Sequence, residues 1–572
     1  MADHNDNDRS PLQRLGGSAG PSLAERVSAR MRDALYASPL HALRLKGKQP
    51  LKLLAVPVDP VPGNAAIGER VVAGRLIHAG HQVMVRGLDF ADAAHPQLWA
   101  QWAHRWGWLR DLAAHVPDRA AAAPHAEALA RAWLLAFPRF HPFAWRADVL
   151  GGRLLAALAH APLLMSGQDP VWRSTMLGAL ATWARHLDRA AFRLPDGLGR
   201  LEALAALYAA GVLMPGGEKR EARALVGLDK LLATLVLPDG GLPSRSPHDM
   251  VQAIALLQAA AAAPEALGQR APPLFADVLA RLGPALRCLM LGDGQAGAWH
   301  GAAMLSAPVL ERLARSLATG TEIARGGRYS GYYRLSAGGT VVVVDAGPPP
   351  ANRASSHGHA STLAFEMSDG PVRLISNCGG ALGLALPLSN GLVAGLKTSA
   401  AHSTLVIDDS NSTRIGDDGQ LAAGVDSVAR DVRSNAQGHY LEASHDGYAK
   451  RLGLQVTRRL FLSADGHELA GEDEVAPAAG RRRKRGDWPV AVRFHLGPGL
   501  AATPTADGAG ALVKLPGGKV WALKTEGAAL AIEPSVLIGA DGQSQRTQQL
   551  VLSARTNGGA VTIGWRLRRA GK

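Results

Sequence analysis

Residues 356–380 read SHGHASTLAFEMSDGPVRLISNCGG, and the alternation of Leu363, Phe365 and Met367 with other residues ahead of SDGP is the pattern of a β-strand running into a turn. Side chains two apart on a strand share a face, so His357 and His359 are expected on the face of those apolar residues, at the strand's entrance. The alternative places both histidines in a solvated turn around Gly358. The same grammar holds from about residue 325 onward, in short runs such as GGTVVVVDAG (338–347), VAVRFHLGPG (490–499) and GGAVTIGWRL (558–567). It predicts an antiparallel β domain of two stacked sheets.

Upstream the period changes. From about 95 to 320 the chain is rich in Ala, Leu and Arg with apolar residues at helical spacing, as in RLLAALAHAPLLM (153–165) and LEALAALYAAGVLM (201–214). Breaks at LPDGLG (194–199), MPGGE (214–218) and LPDGGLPSRSP (237–247) predict helical hairpins in series with loops at one rim. Trp99, Trp102, Trp106, Trp108, Trp133 and Trp145 read as core residues, with sugar-stacking platforms as the alternative. The expected layout is a loosely attached leader over 1–40, a helical domain over 41–322 with one strand in LKLLAVPVDP (51–60), and a β domain over 323–572. Helical periodicity gives way to strand alternation at ATGTEIARGGRYS (318–330).

Composition narrows the function classes. With 47% hydrophobic and 19% charged residues the chain is globular, and no apolar run is long enough to cross a bilayer as a helix. Cys288 and Cys378 fall in different predicted domains, so there is no disulfide framework. Formal charge is +14, of which Arg481, Arg482, Arg483, Lys484 and Arg485 supply five, in a segment whose flanks read as a solvated loop. The positive balance suits a polyanionic ligand. Nucleic acid is disfavoured, because no recognisable binding module accompanies the charge and aromatics are 5% of residues.

A helical half followed by a β half, with SHGHASTLAFEMSDGPVRLISNCGG, KTSAAHSTLVIDD (397–409), PDGGLPSRSP (238–247) and HDGY (445–448) in that arrangement, resembles the heparinase II/III-like family of polysaccharide lyases. The resemblance implies an α+β multidomain fold, an N-terminal incomplete (α/α) toroid followed by a C-terminal antiparallel β-sandwich. It further implies cleavage of a uronate-containing glycan by β-elimination in a cleft between the two. That chemistry neutralises a carboxylate, removes the adjacent C5 proton and protonates the leaving oxygen.

Carried over by the resemblance, His357 is a catalytic acid or base, and His359, Asn377 and His402 occupy the positions of a zinc site. Asn377 stands where zinc-containing relatives have Asp, a weaker neutral ligand; the alternative is a metal-free hydrogen-bond cluster. Gly199 and Arg200 stand where an Asn-His pair is common, and Ser246–Pro247 is followed by His248, Asp249 and Met250 rather than by Tyr and His. Arg200, Arg245 and His248 are therefore candidates for the carboxylate-binding role, Tyr448, Tyr208, Tyr329, Tyr332 or Tyr333 for the missing tyrosine, and His445 with Arg200 and Arg245 for substrate binding. The rival expectation is a catalytically inactive acidic-glycan-binding protein of the same fold. The opening MADHNDNDRSPLQRLGG has no apolar signal core, so the expected location is cytoplasmic, with the periplasm or cell envelope, where relatives work, as the alternative.

Overall fold

The computed structural model describes residues 11–14, 23–115, 119–303, 307–317, 323, 330–384, 386–480, 486–539, 541–557 and 559–570. Contacts group the chain into two compact units, one of residues 21–236 and 251–280, the other of 1–20, 237–250 and 281–572. The basic run 481–485, Tyr329 and most of the expected boundary at 318–330 lie outside the described residues.

The first unit is helical. Its Leu198–Leu213 helix is buried at every position from Leu201 on, which its small residues permit. On the neighbouring Ala147–Ala159 helix a Cβ at Gly151 would stand 2.9 Å from the Ala203 Cα. Trp99, Trp106, Trp108, Trp133 and Trp145 are buried, as the core reading expects. Trp106 and Trp133 meet edge to face with Trp183, and the Arg153 guanidinium lies 3.9 Å from the Trp133 ring centre while donating to the His104 and Ala144 carbonyls. The strand expected at 51–60 is absent; that segment is irregular. The strands near the start are instead Arg75–His78 and His81–Met84, a hairpin turning at Ala79–Gly80. Two prolines inside LKLLAVPVDP remove ladder donors, which accounts for the difference.

The second unit carries two antiparallel sheets. Nine strands run in the order Leu12–Gln13, Ser427–Asn435, Gly438–His445, Leu454–Ser463, Glu468–Pro477, Val561–Arg569, Val520–Glu526, Gly510–Lys514, Ala502–Pro504. The other sheet runs Ala529–Ile538, Ser544–Arg555, Pro489–Leu496, Val372–Ser376, Phe365–Asp369, Thr340–Asp345, Tyr332–Ala337, with Leu405–Ile407 also paired to Pro489–Leu496. Their facing sides share one core, in which Phe365 of the second sheet stacks on Trp565 of the first at 5.7 Å between ring centres and Phe494 meets the same indole edge to face at 4.8 Å. Gly471, directly across from Trp565, makes room for the indole: a Cβ there would stand 2.1 Å from the ring. Leu12–Gln13 pairs with Ser427–Val428, and Arg14 donates to the Ala422, Pro350 and Leu421 carbonyls. This part of the expected loose leader is therefore tied into the sandwich.

Candidate active site

The 356–364 segment is not part of the strand. The strand begins at Phe365, and Leu363 adopts φ +63°, which ends any β alternation upstream of it. His357 and His359 consequently lie in a turn and loop, and they do not share a face: His357 is exposed and His359 is buried. The loop is held from below. Arg458, paired with Asp473 inside the sandwich, donates to the Leu363 and Ser403 carbonyls at 2.7 and 2.8 Å. Leu363 N–H donates to the Asp345 carbonyl, and Ser399 Oγ to the Ala360 carbonyl.

The imidazole of His359 is fully engaged. Its Nε2 accepts from Gly301 N–H at 3.0 Å, which leaves the proton on Nδ1 to be donated to His402 Nε2 at 3.1 Å. His402 then donates Nδ1–H to the Thr398 carbonyl at 2.7 Å. Both rings are neutral: burial drives the pKa of His359 well down and that of His402 to about 4. Each lone-pair nitrogen is already an acceptor, so neither can bind a cation without breaking this chain. Asn377 looks elsewhere, its Nδ2 donating to Glu366 Oε1 at 3.1 Å and its Oδ1 accepting from Ser403 N–H at 2.9 Å. The zinc set expected from the resemblance does not fit these residues, and no cluster of metal ligands occurs among the described residues.

Three further expectations need correction. Arg245 is 7% exposed and spent on the fold: it pairs with Asp345 at 2.6 Å, donates to the Ser330 and Pro348 carbonyls, and lies over the Tyr332 ring. Its backbone takes φ +55°, a strain that this network supports. Tyr448 is completely buried, with its hydroxyl donating to the Ser410 carbonyl at 2.9 Å. His445 is buried too, accepting from Gly447 N–H, with its pKa pushed down to about 3 by desolvation. None of the three is available to a ligand. Arg200, in the helical unit, pairs with Asp196 four residues before it.

What remains beside His357 is His248, together with Asp249 and Lys397. Desolvation lowers the pKa of His357, Asp249 opposes that shift and Lys397 adds to it. His248 is likewise lowered by desolvation, opposed by Asp249 and reinforced by His357. Its ring packs against Gly383, where φ is +76° and a Cβ would stand 2.8 Å from Nδ1, so glycine is required on both counts. His248 Nδ1 is buried without a hydrogen-bond partner. The arrangement offers two neutral imidazoles able to take or give a proton, with one cation and one carboxylate alongside. In the sequence His357 stood out by the His-x-His spacing and His248 by the resemblance, whereas Asp249 and Lys397, though within quoted segments, were given no role.

A family description, Heparinase II/III-like, C-terminal, matches residues 319–566. FtsZ-localized protein C of Caulobacter vibrioides is 31% identical over 585 residues, spanning 98% of this chain and 98% of that protein. Among solved structures, a heparinase III superposes with a TM-score of 0.70 at 14% identity, covering 96% of this chain and 90% of the other. The heparan sulfate lyase HepC of Pedobacter heparinus gives 0.60 at 14% identity, over 96% and 89%. At these identities the structural likeness bears on fold, and the fold is the expected one: a helical toroid region followed by an antiparallel β-sandwich.

Proposed function

Because this chain belongs to the heparinase II/III-like family, we propose that it is a polysaccharide lyase that cleaves a uronate-containing glycan by β-elimination at His357 and His248. One neutral imidazole takes the C5 proton, the C4–O bond breaks as the C4–C5 double bond forms, and the imidazolium so formed gives that proton to the leaving oxygen, directly or through the second imidazole, which returns both rings to the neutral form. The carrying observation is the pairing of an exposed imidazole with one whose buried Nδ1 has no protein partner. An unpaired buried polar atom is costly, and such atoms are retained where a ligand or reacting group uses them.

The test is a panel of uronate polysaccharides assayed for the near-ultraviolet absorbance of unsaturated products. His357→Ala is expected to abolish the signal while the protein stays folded, since an exposed loop side chain contributes little to the core. Full activity in that variant would overturn the mechanism.

A second reading, an acidic-glycan-binding protein without turnover, draws on the burial of Arg245, Tyr448 and His445. Three residues proposed for chemistry are thereby committed to structure. The name of the Caulobacter relative also describes a location and not a reaction. Glycan binding with no unsaturated product across the panel would favour it.

A further inference from the structure

Lys397 follows the short Asn390–Leu396 helix, and its side chain leaves that helix to join two loops. Nζ donates to the Ser356 carbonyl, one residue before His357, at 2.9 Å, and to the Gly419 carbonyl at 2.7 Å. The Lys397 carbonyl in turn accepts from Ala360 N–H at 2.8 Å, so this one residue grips the histidine loop on both sides of His357.

An ammonium has three N–H donors. Two are used here, and both go to neutral carbonyls. Asp418 is the anion whose field raises its pKa, and among the described residues no carboxylate forms an ion pair with Lys397. The side chain is half-buried, and desolvation lowers its pKa. A partly desolvated cation whose hydrogen bonds go to carbonyls has no ion-pair partner, and an incoming carboxylate gains more from it than from a fully hydrated surface lysine. Arg245, by contrast, is saturated by Asp345 and backbone carbonyls.

We infer that Lys397 binds the uronate carboxylate beside His357, filling the role that Arg245 cannot; this rests on the lyase reading of the same site. As the C5 proton leaves, charge spreads onto the carboxylate, and an ammonium fixed by two carbonyls stabilises that charge without having to reorganise.

Two variants separate charge from scaffolding: Lys397→Gln keeps a donor for the loop carbonyls and loses the charge, and Lys397→Arg keeps the charge. The probes are a hexasaccharide of alternating glucuronate and N-acetylglucosamine and its carboxyl-reduced counterpart, with binding read by calorimetry and cleavage by absorbance. Lys397→Gln is expected to weaken binding of the acidic hexasaccharide about tenfold or more, as for loss of one charge-assisted hydrogen bond, and to leave the reduced one unchanged. Lys397→Arg is expected to stay within about threefold of the wild type for both probes. Equal losses on both probes, no loss on either, or a wild type that does not distinguish the two probes would each overturn the assignment. Acidic-specific binding that depends on Lys397 but yields no unsaturated product would sink the lyase reading and uphold Lys397. Full binding and turnover in Lys397→Gln would do the reverse.

Discussion

Asn377 shows how the meaning of a single residue depends on its neighbours. Read beside His359 and His402, it looks like a weakened zinc ligand that Asp would restore. In the structure its amide bridges Glu366 and Ser403, and Glu366 already accepts from Arg373 and from Ala298 N–H. Asn377→Asp is therefore expected to gain no zinc, because it sets a second buried carboxylate against Glu366. The cost should be about 3 kcal/mol, within the range for an uncompensated buried charge. It should grow with rising pH as both groups are driven to ionise. Denaturant unfolding at two pH values, with elemental analysis of the purified variant, checks this; stoichiometric zinc would contradict it. His357 carries a prediction of its own. Its pKa is depressed by desolvation, so the base form prevails at neutral pH, and turnover limited by that base should be flat there and fall only below the ordinary histidine value. A pH–rate profile declining already between pH 8 and 7, about a unit above that value, would implicate a different base.

Among elements, the 237–250 segment is the one whose role changed most on folding. The motif suggested a rim loop presenting Arg245 to substrate, yet its guanidinium is threaded between the Thr340–Asp345 strand and the Ser330 and Pro348 carbonyls. Replacing it leaves the Asp345 carboxylate buried without a cation, held by Ser361 Oγ and the Gly347 N–H, with His300 at 3.7 Å. Arg245→Ala should thus cost about 3–5 kcal/mol of stability. The loss should appear as a lowered melting temperature with ligand absent, and unchanged stability with reduced turnover would restore Arg245 to the catalytic set. A strand-level counterpart is Gly471→Ala, which drives a methyl into the Trp565 indole and should destabilise by about 1–3 kcal/mol. Near-ultraviolet circular dichroism of the tryptophan region should change with it.

For the whole molecule, buried histidines dominate the expected response to acid. Desolvation holds His104, His186, His445 and His495 near a pKa of about 3 and His402 near about 4. Their folded values lie below the ordinary 6.5, so the unfolded chain binds these protons first. Stability is then complete above pH 6.5 and drains away as pH falls toward the folded values. Each histidine withdraws about 1.4 kcal/mol per pH unit over that window. Glu202, raised to about 7 by burial, with Asp33, Asp111, Asp345 and Glu366 also raised by desolvation, acts in the opposite direction, but these five carboxylates face twelve lowered histidines among the described residues. Calorimetry from pH 7.5 to 5 should show a falling melting temperature, and a rise would show that the buried carboxylates prevail.

The sequence by itself determined the alternation of helical and strand segments, the burial of most early tryptophans and the family, because these depend on periodicity and on local motifs that survive in one dimension. It also marked His357 and His248. Only the tertiary structure decided which polar residues are available. Arg245, Tyr448, His445, His359 and His402 all read as chemistry in a motif, yet His445 is buried, and the other four are consumed by partners from distant parts of the chain, as the 100 residues between Arg245 and Asp345 illustrate. Lys397 opens the KTSAAHSTLVIDD segment but had no role assigned in it, and it is the cation left beside His357 without a paired carboxylate among the described residues. Hydrogen-bond saturation is a property of neighbours in space, and spacing along the chain carries no record of it.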